Sequence, residues 1–233
     1  MKKTTLITFF SFFSFFIGFL SIGSASASPF SISMVADNDF AIFSGTSTNI
    51  NNLLYQNDVG WGSQITALST LSFNLAAGDD TFYVLAMGGG GEEDNSGEVN
   101  GVNMIDSSVA VQMSTDLSSS LTGYSSGSVA NGTYDALLTD AQGALSGLTW
   151  AAPTINTTQT VIVAADFGSG FSFADSTAHL FSFEAEDVGV AVPEPSILAL
   201  MVLGLAGLSL RTRRRKHSGF PEQACSAGTQ TAP

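Results

Sequence analysis

All seven lysines and arginines of this 233-residue chain sit towards its two extremities: Lys2 and Lys3 at the start, and Arg211, Arg213, Arg214, Arg215 and Lys216 near the end. Residues 28–192 hold neither, yet they contain eighteen of the twenty acids, all but Glu194 and Glu222. A fold built from this middle section has no internal salt bridges to draw on, so its stability must come from apolar burial and backbone hydrogen bonding. Its formal charge of −18 contrasts with −13 for the whole chain, and such a surface repels nucleic acid and anionic lipid. Nucleic acid is therefore excluded as a partner, and divalent cations are expected to relieve repulsion among the carboxylates. The single cysteine, Cys225, lies beyond the second basic cluster, so no disulfide braces the middle section.

Apolar patterning divides the chain at the same places. After Lys2 and Lys3, residues 6–22 form an almost unbroken apolar and aromatic series that ends in the small residues Ala25, Ser26 and Ala27. A positive start, a hydrophobic middle and small residues at the end make a secretory signal, with cleavage expected after Ala27 by signal peptidase following passage through the Sec machinery. The alternative is an uncleaved anchor, because residues 6–22 approach the lower limit of a spanning helix. Near the other extremity, Val192, Pro193, Glu194, Pro195 and Ser196 precede an apolar run to Leu210, and the five bases follow at once. Residues 196–210 are expected to form a transmembrane helix, Pro195 suiting its first turn and the arginines extending its reach by snorkelling. Bases favour the cytoplasmic side, which places everything before them outside. A buried C-terminal helix is the alternative. The chain thus reads as a signal peptide (1–27), an exported domain (28–190), a sorting and membrane segment (191–216) and a polar tail (217–233).

The exported domain has short β-branched and aromatic runs separated by Gly, Asn, Asp and Ser. Strands are expected at 30–35, 40–43, 65–75, 81–87, 108–113, 160–165 and 179–185. Leu71, Phe73 and Leu75 alternate with Ser72, Asn74 and Ala76, and Gly78, Asp79 and Asp80 then turn the chain into the next run. Phe171 and Phe173 share one face of an extended segment. Two such apolar faces need one another, which makes the expected fold all-β, a jelly-roll-like β-sandwich. Ala136, Leu137, Leu138, Ala141 and Leu145 recur at roughly helical spacing, so one short helix within 134–148 is expected to cross an end of the sandwich. Residues 117–132 read as polar loop or weak strand, and residues 186–195 as a spacer before the membrane segment.

The most conspicuous local feature is the run of four glycines at 88–91, followed by Glu92, Glu93, Asp94 and Asn95. Glycines free the backbone to wrap closely around a group, and carboxylates are hard oxygen ligands, so Glu92, Glu93 and Asp94, joined by Asp37 and Asp39, form a candidate calcium site. A solvated loop with acids capping their own turns explains the same residues without a ligand. The run matches neither an EF-hand nor a phosphate loop. Trp61 and Tyr55 are candidate carbohydrate contacts, with Trp150, Tyr83, Tyr124 and Tyr134 as further aromatics; the alternative is that the tryptophans pack at the ends of the sandwich. Catalysis is not expected: His179 is the only histidine in the domain, and no nucleophile elbow is present. With eighteen acids available, a carboxylate pair for glycoside hydrolysis has little specificity as a signal.

Val192, Pro193, Glu194, Pro195 and Ser196, the hydrophobic run to Leu210 and the Arg211 to Lys216 cluster together resemble the PEP-CTERM sorting signal of exopolysaccharide-producing Gram-negative bacteria. The resemblance implies recognition by exosortase, a membrane cysteine transpeptidase-like enzyme, cleavage near Pro193, Glu194 and Pro195, and passage from inner-membrane anchoring to the cell surface or extracellular matrix. Members usually end within a few residues of the basic cluster, whereas a polar tail follows it here. The segments around Asp37 to Asp39, Tyr55 to Trp61 and Met87 to Gly91 look like a recurring β-rich domain attached to such signals. The resulting expectation is a non-enzymatic surface or matrix protein associating with exopolysaccharide, with calcium as the one cofactor considered. A carbohydrate-binding module is the alternative, and a glycan hydrolase comes third.

Overall fold

The computed structural model describes residues 29–37, 39–57, 59–64, 70–89, 91, 93–115, 136–158, 162, 167–174, 177–193, 201, 204 and 205, with the side chain of Trp61 excepted. The chain divides into two compact units, one of residues 23–194 and one of residues 1–22 with 195–233. The first unit is an all-β sandwich of two six-stranded antiparallel sheets.

The chain alternates between the sheets after every one or two strands. One sheet receives β1 (Pro29–Ala36), β4 (Thr70–Asn74), β6 (Glu93–Val99), β7 (Val102–Asn103), β10 (Thr154–Asn156) and β11 (Gly170–Phe173), in the order β10-β11-β6-β1-β4, with β7 on β6. We call it sheet A. Sheet B has the order β3-β2-β5-β12-β8-β9, from β2 (Asp39–Thr46), β3 (Asn49–Gln56), β5 (Thr81–Met87), β8 (Gln112–Ser114), β9 (Trp150–Ala151) and β12 (Ala178–Glu184). Local chemistry sets the turns. Asn100 and Gly101 both take positive φ, 51° and 78°, the geometry that closes the β6–β7 hairpin. Gly78, at φ 91°, turns β4 towards β5.

The inter-sheet core follows from strand alternation. Ile32 and Met34 of β1, Phe40 and Ile42 of β2, Phe82 and Val84 of β5, and Phe181 and Phe183 of β12 meet in one buried layer. Phe82 lies at its centre, 4.8 Å from the Phe30 ring and 5.5 Å from Phe183. At about 25 cal/mol per Å2, each such ring contributes roughly 2–3 kcal/mol of transfer free energy.

The opposite face of sheet B is also covered. Tyr83, Leu85, Phe43, Ile50 and Leu180 pack beneath Leu137, Ala141, Ala144 and Leu145 of a helix spanning Leu137–Leu145. With a four-residue turn at Trp61–Gln64 named α1, this helix is α2. Its amphipathic spacing matches expectation, but its place does not: it lies on a face of the sandwich and does not cross an end. The reason is that β2, β5 and β12 present apolar side chains on both surfaces, and the helix stripe is what buries the outer one. Gln142 pins it there by donating from Nε2 to the Ile50 carbonyl at 2.7 Å. All seven residues of β5 are consequently buried.

Strands expected at 30–35, 40–43, 81–87 and 179–185 are present with nearly the same bounds. The strand expected at 65–75 is present as β4, Thr70–Asn74, with residues 65–69 outside the described residues. Three further regions differ. The strand expected at 108–113 begins only at Gln112, because Asp106 Oδ1 accepts from the Ser108 amide and hydroxyl, both at 2.9 Å, and bends the chain first. Of the strand expected at 160–165 only Ile162 is described, and its backbone is helical. The acidic segment after the glycine run is not a loop: Glu93 to Val99 forms β6, in the middle of sheet A. The loop or weak strand expected at 117–132 lies outside the described residues.

Candidate functional site

The strand ends at Ala36, Asp39, Gln56, Met87, Glu93, Phe173 and Ala178 gather at the end of the sandwich where β1 passes to β2. The candidate calcium residues sit here. Strand geometry separates them, because successive residues of β6 face opposite ways. Asn95 pairs with Ala36 and Phe171, both of the inter-sheet core, so Glu93 and Asn95 face inward, whereas Asp94 faces outward. Asp94 Oδ2 accepts from Asn156 Nδ2 at 3.1 Å, and its carbonyl accepts from the Asp37 amide at 2.9 Å. Asp39, on sheet B, accepts from the Phe40 amide at 2.9 Å and from Asn57 Nδ2.

Of the candidate residues, the fold therefore brings Asp37 and Glu93 close, and directs Asp39 and Asp94 elsewhere. Glu92 lies outside the described residues. Among the described residues no group of three or more His, Cys, Asp or Glu is arranged to hold a metal ion. Burial, followed by the negative charge of Glu93, pushes the Asp37 carboxyl up to about 6. The glycines wrap around a protein group: the Gly89 amide donates to Glu93 Oε1 at 2.9 Å, and a Cβ on Gly88 would stand 2.7 Å from the Glu93 carboxyl carbon.

Beside Glu93, the buried Asn95 amide has no hydrogen-bond partner for either its nitrogen or its oxygen among the described residues. His179, across the inter-sheet layer, is held by its Nδ1 to the Ser114 carbonyl at 2.6 Å and by a ring contact with Phe173 at 5.7 Å. It is buried, and its Nε2 has no hydrogen-bond partner among the described residues. Nothing in the sequence marked Asn95 as buried, because it follows three acids and four glycines.

The outer face of sheet B differs along its length. Where α2 ends its cover, Thr81, Tyr83, Gln112, Trp150, Ser182 and Glu184 line an open cleft of about 290 Å3. Tyr83 forms its floor, its hydroxyl donating to the Thr46 carbonyl at 2.6 Å. Trp150 is half-buried with its ring 6.4 Å from that of Tyr83. The cleft is electronegative: burial first and then Glu184 and Asp80 push the Tyr83 hydroxyl up to about 12, and burial with Asp80 raises Glu184 above the usual carboxylate range. Ser182 and Glu184 share this face through the period-two alternation of β12, a pattern visible in sequence, but their meeting with Gln112 and Trp150 depends on strand order. Of the aromatic candidates, Tyr55 is half-buried against Phe40 at 5.8 Å, and the Trp61 side chain lies outside the described residues.

At the end of the domain, residues 186–190 belong to the fold and not to the spacer. Glu186–Val188 makes a 3-10 turn closed by Gly189 at φ 68°, and Val188 and Val190 are buried in the inter-sheet core. Ala191 and Val192 are exposed, and Pro193, the last described residue of this unit, is buried again. Glu194, Pro195, Ser196 and the cluster of Arg211, Arg213, Arg214, Arg215 and Lys216 lie outside the described residues, as does most of the expected transmembrane helix. Met201, Gly204 and Leu205 are helical, and among the described residues no helix is long and apolar enough to cross a membrane.

The fold defines an acidic all-β sandwich ending where the sorting segment begins. Residues 191–215 match the family model of the PEP-CTERM protein-sorting motif, so the signal follows Val190 directly and its Pro193 is still buried against the domain. The motif implies an exported protein, transiently anchored at the membrane and processed by an exosortase-type system. No curated protein and no solved structure matches the chain.

Proposed function

We propose that the sandwich is a non-enzymatic component of the cell surface or extracellular matrix that associates with exopolysaccharide, assisted by calcium. The observation that carries this reading is the pairing of a surface-sorting motif at 191–215 with a domain that has eighteen acids and no lysine or arginine. Divalent cations bridging such a domain to carboxylate-bearing or hydroxyl-rich polymer need no preformed cage, because long-range attraction to the acidic surface concentrates them there.

The test is retention of the full chain, in detergent, on the native exopolysaccharide with calcium and with a chelator. Retention that falls on chelation is the expected result. Equal failure to bind in both conditions removes the reading. The open cleft favours a second, compatible one, in which part of the affinity comes from direct recognition of sugar by Trp150 and its neighbours.

A further inference from the structure

We propose that the open part of the outer face of sheet B is a saccharide site selective for sugars that carry a protonated amine. The proposal rests on the association with matrix polysaccharide described above and specifies a ligand class for it. Three observations combine. The first is a rigid aromatic wall: Trp150 is fixed by the pairing of β9 with β8 and by its ring contact with Tyr83, so little conformational entropy is lost when a sugar ring stacks on it. The second is a row of polar side chains opposite that wall. Ser182 and Gln112 are register partners, and Glu184 follows two residues along β12 on the same face. Hydroxyl, carboxamide and carboxylate groups in one row suit the alternating donors and acceptors of a sugar ring.

The third observation is charge. Glu184 stands near Asp80, Glu186 and Asp187, and residues 28–192 contain no lysine or arginine to balance them. An anionic uronate would add to that repulsion, whereas an ammonium group would relieve it through a charge-assisted hydrogen bond to Glu184 and attraction to the indole face. At about 290 Å3 the open cleft has room for a short saccharide.

Titration calorimetry of the full chain in detergent, at about pH 6 so that the sugar amine is protonated, tests this with a glucosamine oligomer, its N-acetylated counterpart and a uronate oligomer. With a chelator present to remove calcium bridging, the amine oligomer is expected to bind about tenfold or more tightly than the acetylated one, and the uronate not to bind. Glu184→Gln should bring the amine oligomer down to the affinity of its acetylated form, and Trp150→Ala should abolish binding of both. Near-ultraviolet circular dichroism reports whether each variant is folded, and the half-exposed Glu184 provides the safer of the two. Equal binding of uronate and amine oligomers, or undiminished selectivity in Glu184→Gln, overturns the site. If the wild type is retained on native exopolysaccharide yet ignores the amine oligomer, this site is wrong while the matrix association stands. Binding of the oligomer without retention on exopolysaccharide leaves the site and removes the association.

Discussion

Two carboxyl groups are tucked into opposite ends of the sandwich, and their surroundings differ. Asp79 receives Ser44 Oγ at 2.5 Å, Asn51 Nδ2 at 2.6 Å and Asn52 Nδ2 at 2.9 Å, a set of neutral donors doing what a lysine or arginine would do elsewhere. Asp37 has Glu93 as a neighbour, and its carboxyl rises to about 6. A domain without basic side chains thus handles buried acid in two ways: by amide and hydroxyl donors, or by making the proton easier to hold. The first stabilises the fold through its donors, and the second is a cost that disappears on acidification.

The largest test of this contrast is Asp79→Ala. Removing the common acceptor of three donors should cost about 3 kcal/mol, measured as a lower urea midpoint for the full chain in detergent. Asp37→Asn should do the reverse. A raised folded-state pKa means that the native state holds the proton more tightly than the unfolded chain, so stability is greatest below about pH 4 and falls as pH rises through about 6. The variant should therefore gain about 1 kcal/mol at neutral pH, a figure discounted for solvent screening, and nothing near pH 4. Loss of stability in this variant at neutral pH would break the contrast.

Asn95→Val sharpens it further. The Asn95 amide is buried without partners among the described residues, so an apolar replacement should be neutral or stabilising by about 0.5 kcal/mol, where an equivalent change in the Asp79 network is costly. Smallest is the effect of calcium, expected to raise the melting temperature by about 2 °C beyond sodium chloride of equal ionic strength, through relief of carboxylate repulsion.

These differences explain what could be read from the residues alone. β5 was legible because Thr81 to Met87 is a continuous apolar run with a turn before it, the signature of a strand covered on both faces. The stripe of α2 was legible too, but no periodicity tells which surface a helix will cover. β3 carries three asparagines, and β6 begins Glu-Asp-Asn-Ser-Gly-Glu, so propensity and polarity both argue against strands there. Tertiary pairing with β1 and β11 overrides that preference and buries Glu93, Asp94 and Asn95. The sorting signal was the most readable feature, since its mechanism lies in local order of proline, apolar and basic residues. The cleft was the least readable, because Gln112, Trp150 and Glu184 become neighbours only through the order of strands in sheet B.

Among the described residues β12 is the last strand in sequence, yet it lies in the interior of its sheet, between β5 and β8. Neither neighbour can complete its ladder until Ala178–Glu184 has arrived. A chain emerging from a translocation channel therefore waits, with open strand edges, for nearly its whole length to cross, and the final step of closure is a long-range one. Truncation just before residue 178 would leave a species prone to pair with its own kind, so the sheet closes its edges only once Ala178–Glu184 has been delivered.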